Sequence, residues 1–325
     1  MNYLVTGGAG FIGSHLVERL LEEDCSVVVI EDNSKKDVKV VQKGENRIIV
    51  IDDFSIGKWA NLPKDPRLTV YEGSILDDIS RFFEGIDVVF HLAALTRPQW
   101  SIEHPVETNL VNVEGTIKIL QHAIAKKVRK VVFVSSSSIY GDQETFPSNE
   151  EAKPNPMCPY ALTKLMGEQY CKLFELLYGL KANYIRPFNV YGTRQSPKGA
   201  YAGAVPKFID AMSKGETPYI TGDGKQARDF IYIDDVCELI VAASKADVCG
   251  EAFNAGSGTN ISINDLFDNV CKIMGKQVVP DHIPPVIEPG MTLADISKAK
   301  RMLGWEPKVS LEEGLRKTVE GTLRA

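Results

Sequence analysis

The chain has 325 residues, 44% of them hydrophobic, with a formal net charge of −6. A chain of this length buries roughly three quarters of its unfolded surface, so no disulfide or metal staple is needed. With no lysine or arginine block longer than a pair, the acidic balance argues against nucleic-acid and membrane-surface partners and for small molecules.

The chain opens on an apolar tripeptide, Tyr3-Leu4-Val5, with neither a charged leader nor an apolar stretch of membrane-spanning length, which predicts neither secretion nor membrane insertion. TGGAGFIGSH follows from Thr6 to His15, and then an amphipathic run, Leu16, Val17, Leu20 and Leu21. Strand, glycine loop and helix in that order are a dinucleotide site. Gly7 permits the tight turn, Gly10 lets the backbone approach a pyrophosphate, and Gly13 lets the helix, expected over 11–23, pack on the strand. Phe11 and Ile12 lie between the last two glycines and belong to the same cofactor segment.

Two later stretches, Val27–Asp32 and Ile48–Asp53, both read as a second strand ending in acid. A carboxylate on the adenosine ribose is expected about 20 residues past the last glycine. Asp32 lies 19 residues beyond Gly13 and Asp52 lies 39, so spacing favours Asp32 with Asn33. Either carboxylate repels a ribose 2′-phosphate and favours NAD over NADP, an inference that Lys35 and Lys36 soften. The surplus of about 20 residues reads as an added hairpin.

Further strands are expected at 68–71, 88–92, 131–135 and 182–186, alternating with helices near 106–125 and 160–178. That alternation predicts an α/β fold, a doubly wound parallel sheet of the Rossmann kind. After Arg186 the chain becomes richer in Gly and Pro, which predicts a smaller, mixed C-terminal lobe for substrate. The expected division is 1–186 for the dinucleotide domain, with a return contribution from about 229–260, and 187–228 with 261–325 for the lobe.

VVFVSSSSIYG at Val131–Gly141 is a buried strand running into four serines, and Tyr160-Ala161-Leu162-Thr163-Lys164 places Tyr and Lys on one helical face. A tyrosine hydroxyl is a poor base at neutral pH, but a nearby ammonium and a cationic nicotinamide stabilise its phenolate, which then takes a proton from an alcohol. Ser136, at the strand end, is placed to hydrogen-bond the same oxygen as charge moves. Ser136, Tyr160 and Lys164 are the candidate catalytic residues.

With HLAA at 91–94, NVEGT at 112–116, RPFNVYG at 186–192, GDGKQARDFIYIDD at 222–235, FNAGSG at 253–258 and LGWEP at 303–307, the chain resembles the extended short-chain dehydrogenase/reductase family almost end to end. Within it, the chain looks like sugar-nucleotide enzymes of the NAD-dependent epimerase/dehydratase type, nearest to UDP-glucose and UDP-N-acetylglucosamine 4-epimerases. The resemblance implies that Ser74, Ile75, Leu92, Ala93, Ala94 and Ser135 line the NAD, that Asn112 holds it from a helix and that Pro187 abuts the nicotinamide. From the residues alone, Asn112 reads equally as a satisfied buried amide and Pro187 as a strand terminator. IDDFSIGKWANL at 51–62 resembles the family's adenosine loop and makes Asp52 a rival to Asp32.

The serine run separates the reactions. The 4,6-dehydratases carry Thr-Asp-Glu at positions matching 136–138, and decarboxylases carry a glutamate where Ser138 stands. Hydroxyls cannot replace those carboxyls. What the resemblance then implies is C4 epimerisation of a UDP-sugar through a transient ketone, on UDP-glucose/UDP-galactose and their N-acetylated forms. The alternatives are a UDP-uronate epimerase or another nucleotide-sugar oxidoreductase and, from a different class, a non-catalytic NAD sensor. Resemblance assigns Ser136, Ser137, Asn189, Val205, Tyr219, Thr221 and Arg228 to the substrate, and Thr292 to a size gate with room for an acetamido group. A surface arginine paired with Asp229 is the plain reading of Arg228. Three departures stand out. The family's Arg-x-Gly-Asp segment is missing before Thr292, Ser74 replaces an aspartate, and Trp100 sits where arginine is common.

Resemblance also implies a homodimer through the helices near 106–125 and 160–178. The cysteines at 25, 158, 171, 237, 249 and 271 form no CxxC, and His15, His91, His104, His122 and His282 show no ligand spacing, so no metal is expected and a reducing cytoplasm fits. Glu150-Glu151 reads as a solvated loop and Asp234-Asp235 as a helix start.

Overall fold

The computed structural model describes residues 1–22, 47–197, 203–286 and 288–324. In chain order the elements are β1 (Tyr3–Thr6), α1 (Phe11–Glu22), β2 (Ile48–Asp52), β3 (Leu68–Glu72), β4 (Val88–His91), α2 (Pro98–Glu103), α3 (Pro105–Asn109), α4 (Gly115–Ala125), β5 (Lys130–Val134), α5 (Pro159–Tyr178), β6 (Ala182–Pro187), β7 (Asn189–Tyr191), α6 (Ala204–Lys214), β8 (Tyr219–Thr221), β9 (Ala227–Arg228), β10 (Phe230–Tyr232), α7 (Ile233–Lys245), β11 (Ala252–Ala255), β12 (Ile261–Ser262), α8 (Ile263–Met274), β13 (Asp281–Ile283), α9 (Ser297–Leu303) and α10 (Leu311–Arg324). They fall into two compact units: Met1–Ser136 with Cys158–Arg186 and Cys237–Phe253, and Ser137–Met157 with Pro187–Val236 and Asn254–Ala325.

The first unit is built on a seven-stranded sheet of order β11-β6-β5-β4-β1-β2-β3. Strands β1 to β6 pair in parallel, with Tyr3 opposite both Ile48 and Val88. Strands β1, β2, β4 and β5 are buried along their whole length. A sheet covered on both faces needs such unbroken apolar runs rather than alternation, and YLVT, IIVID and VVFH supply them. Both edges of β1 are taken, by β2 and by β4. The strand beside β1 is therefore the one ending in Asp52; the 27–32 stretch, with Asp32, Asn33, Lys35 and Lys36, lies outside the described residues.

The single helix expected over 106–125 is instead α3, a widened π turn at Leu110–Glu114 that carries Asn112, and α4. Gly115 opens α4 against Ile75, where any side chain would collide with the isoleucine. At the other end of the sheet, buried Lys130 donates to the carbonyls of Ala246 and Val248 (3.0 Å to the latter), and Asn183 to those of Ala243 and Val248, so the last turn of α7 and the chain leaving it keep their acceptors satisfied.

The second unit is mixed, as expected: a parallel pair β7–β10, an antiparallel pair β9–β12 and a parallel pair β8–β13, with helices α6, α8 and α10 packed on one another. Ser262 caps α8 by accepting from Asp265 N, and left-handed Gly215 and Gly275 end α6 and α8. Glu150, expected in a solvated loop, is buried, and so is Asp235, expected at a helix start. Glu150 accepts from Asn254 N at 2.8 Å, and Asp235, although it does sit in the first turn of α7, accepts from Lys308 N and Val309 N. In both cases backbone amides of a distant segment help offset the cost of burial.

Candidate active site

At the carboxyl end of β1, Gly7 adopts φ +70, and a Cβ there would stand 2.7 Å from Ala93 N. A side chain at Gly13 would run into Gly7 O, so α1 could not approach the strand. Gly8 was not singled out in the sequence, yet its Cβ would lie 2.6 Å from Val50 Cγ1. Gly10, Phe11 and Ile12 are half-buried, at the open side of the loop and the start of α1.

Asp52 closes this loop from β2. Its Oδ2 accepts from Ala9 N and its Oδ1 from Phe54 N, both at 2.8 Å. Burial pushes its carboxyl above the usual range, opposed by the amides of Phe54, Ala9 and Gly10. Beside it Lys58 N and the Asn61 amide both donate to Ala9 O, so the 51–62 loop is bound to the glycine loop itself.

The HLAA segment is wired from below. His91 Nδ1 meets Thr6 Oγ1 at 2.7 Å and Nε2 meets Thr116 Oγ1 at 3.0 Å, while Thr116 donates to Asn112 O and Thr6 Oγ1 accepts from Ala93 N. With the Thr116 proton committed, the network assigns the imidazole proton to Nε2. Burial holds His91 neutral, its pKa down to about 3. The result fixes Leu92, Ala93 and Ala94, half-buried, opposite Gly7.

Tyr160 enters at the start of α5, which Pro159 opens, and its backbone N–H donates to Ser101 Oγ. Its hydroxyl hydrogen-bonds Ser136. Burial nevertheless dominates and pushes Tyr160 up to about 12. The expected help from Lys164 is not seen in the chain alone. Lys164 Nζ donates to Val134 O at 2.8 Å, and burial brings its pKa down to about 7 against the pull of Glu168. A cation beside the phenol, whether a charged Lys164 or the ring of a bound nicotinamide, would lower it. Ser135, at the end of β5, buries its hydroxyl without a hydrogen-bond partner. A left-handed glycine loop that only bare backbone fits, an amide-rich helix start and an orphaned hydroxyl suit a dinucleotide.

Three expected contacts are otherwise engaged. Asn112 accepts from Leu95 N and gives its two amide protons to Leu95 O and Thr163 Oγ1, which makes it the satisfied amide and a brace between the π turn and α5. Ile75 is packed into the apolar core. Ser74 forms a local turn, its Oγ accepting from Leu76 N and its N–H donating to Asp77.

In the second unit Asn189, Arg228 and Thr292 converge. Asn189 donates to Asp229 O and to Thr292 Oγ1, and Thr292 N donates to Ala227 O. The hub is Asp229, fully buried, accepting from Ser257 N, Ser257 Oγ, Gly258 N and Ala294 N. Its carboxylate is thus held by the FNAGSG loop and not by Arg228. Arg228 instead places Nη2 3.0 Å from Glu288 Oε2 and Nη1 2.9 Å from Ala227 O. Thr221 lines a cavity of about 990 Å³ and Tyr219 is over a third exposed, with Lys207 Nζ against its ring. Val205 turns its side chain into the unit's interior, 1% exposed, because α6 packs apolar residues inward. Ser137 begins a short 3-10 turn and Pro187 ends β6.

The NAD dependent epimerase/dehydratase family model matches residues 3–256. The chain is 36% identical to a UDP-glucose 4-epimerase of Mycolicibacterium smegmatis over 98% of each chain. Its structure is similar, at TM-score 0.90 and 38% identity, to the UDP-glucose 4-epimerase of Thermotoga maritima solved with UDP-glucose, covering 100% of this chain and 99% of that one. A UDP-N-acetylglucosamine 4-epimerase from Methanobrevibacter ruminantium, in complex with UDP-N-acetylmuramic acid, is similar at TM-score 0.89 and 32% identity over 99% and 98%. With the glycine loop, Tyr160 and Lys164 standing on such a sheet, the chain belongs to the NAD-dependent epimerase/dehydratase family and is an enzyme that takes NAD as its cofactor.

Proposed function

We propose that the chain is an isomerase that interconverts C4 epimers of a UDP-sugar, with UDP-glucose/UDP-galactose as substrates and N-acetylated forms tolerated. The observation that carries the reading is the Tyr160 hydroxyl hydrogen-bonded to Ser136 one helical turn before Lys164, at the end of the dinucleotide sheet. Bound NAD supplies a reversible hydride sink that turns the C4 alcohol into a ketone and back. Tyr160 takes the C4 hydroxyl proton and returns it, and Ser136 steadies the same oxygen. The Lys164 ammonium, anchored on Val134 O, favours the tyrosinate whenever it is charged. Positions 136–138 offer hydroxyls only, so a carboxylic acid for water elimination or decarboxylation is missing from that segment. Asp52 is read as the ribose carboxylate, the first unit as the dinucleotide domain and the second as the substrate lobe. Thr292, small and tied to Asn189 and Asp229, supports room for a 2-acetamido group.

A homodimer through the 106–125 segment (α3, the π turn and α4) and α5 is part of the proposal, supported by exposed Val106, Leu110, Leu162, Leu176 and Leu177. Tyr160→Phe tests the chemistry: turnover on a UDP-hexose and UDP-hexuronate panel, followed by NMR of the products, is expected to fall by about 10³-fold while NAD stays bound. Unchanged turnover, or a 4-keto-6-deoxy product from the unaltered enzyme, would overturn it.

A further inference from the structure

Among the described residues four cationic side chains are buried: Lys130, Lys164, Arg186 and Arg228. The first three are held by fixed partners, carbonyls for the lysines and a buried carboxylate for Arg186. Arg228 is different. Nη1 donates to Ala227 O and, at 3.3 Å, to Gly290 O, but Nη2 is buried and makes no aligned hydrogen bond. What faces Nη2 is Glu288, an ion pair at 3.0 Å whose carboxylate side chain is 37% exposed. Glu288 and Gly290 also line the cavity of about 990 Å³, together with Thr221, Gln226 and His282. A buried guanidinium with a misaligned nitrogen is incompletely compensated, and a diphosphate, which can present two oxygens to the fork, satisfies it better than one off-axis carboxylate does.

We propose that Glu288 is an exchangeable counter-ion for Arg228, displaced into the adjoining cavity when the substrate's diphosphate takes the guanidinium. Glu288 thereby sets nucleotide affinity, weakening it by competition and keeping the buried cation paired when no ligand is bound. The inference rests on the reading of the substrate as a nucleoside diphosphate sugar. The carboxylate belongs to the 284–291 stretch, which lacks the Arg-x-Gly-Asp segment that the family resemblance implies.

The test is calorimetric titration of the NAD-loaded protein with UDP, an assay independent of turnover. Glu288→Gln, which keeps shape and removes charge, is expected to tighten UDP about five-fold, the size of a partly exposed ion pair. In an Arg228→Gln background the same change is expected to have no effect, a non-additivity that a merely structural role of Glu288 would not give. Equal or weaker UDP binding by Glu288→Gln, an equal gain in both backgrounds, or no UDP binding by either protein would each overturn the proposal. Tighter UDP binding with no epimerisation of any UDP-hexose would sink the functional reading and leave the counter-ion standing.

Discussion

Each unit buries an arginine against a glutamate, and the two pairs are opposites. In the first unit Arg186 grips Glu168 with two bonds, Nε to Oε1 at 2.9 Å and Nη2 to Oε2 at 2.7 Å, and the side chains are 5% and 0% exposed. In the second unit Arg228 meets Glu288 through one nitrogen, off axis, and the glutamate is open to solvent. Geometry separates an enclosed, bidentate pair from a single contact at a cavity wall. A bidentate, fully enclosed pair has no alternative partner, whereas a single contact at a cavity wall can be exchanged.

The largest effect expected from this contrast is at Glu168. Glu168→Ala removes the bidentate carboxylate from buried Arg186 and should lower stability by about 3–5 kcal/mol, read by denaturant unfolding. The equivalent cut at Glu288 should cost no more than about 1 kcal/mol. If the two losses are equal, the contrast fails. Next comes cofactor binding. Asp52→Asn is expected to weaken NAD at least about ten-fold, the size of a hydrogen bond to a charged group, whereas Asp32→Asn should leave it unchanged; the reverse result in a fluorescence titration would return the ribose to Asp32.

The first unit's closed wiring also predicts a pH response. His91 is held neutral, with its pKa near 3 against an ordinary 6.5, so below pH 6.5 the unfolded chain binds the extra proton and the folded one does not. Stability should therefore fall as pH drops through that window, by up to about 1.4 kcal/mol per pH unit from this group, and level off above it. His91→Gln should flatten the slope. The smallest effect belongs to Asn112. If it is a brace and not a cofactor ligand, Asn112→Ser should lower the melting temperature by a few degrees without altering NAD affinity at 25 °C, and a selective loss of NAD binding would reinstate the contact that the sequence suggested.

Much of the first unit was legible because its requirements are short-range. Gly7 must be left-handed, Gly13 must lack a side chain, and Tyr160 and Lys164 must be four apart, all within a few residues of chain. The same reasoning failed where a side chain's partner comes from far along the sequence. Asn112 read equally as a cofactor contact and as a satisfied amide until Leu95 and Thr163 were beside it, the plain reading of Arg228 paired it with Asp229, an acid that the 253–258 loop holds, and Glu150 was placed in solvent while Asn254 required it.

The sequence by itself determined the glycine loop, the parallel sheet and the shared helical face of Tyr160 and Lys164, since turn geometry, strand hydrophobicity and helical spacing are written locally. Only the tertiary structure decided that Asp52 ends the strand beside β1 and that Arg228 faces Glu288. Strand order and ion-pair choice depend on which distant segments the fold brings together, and a hydrogen-bonding group takes the partner that its buried surroundings leave within reach.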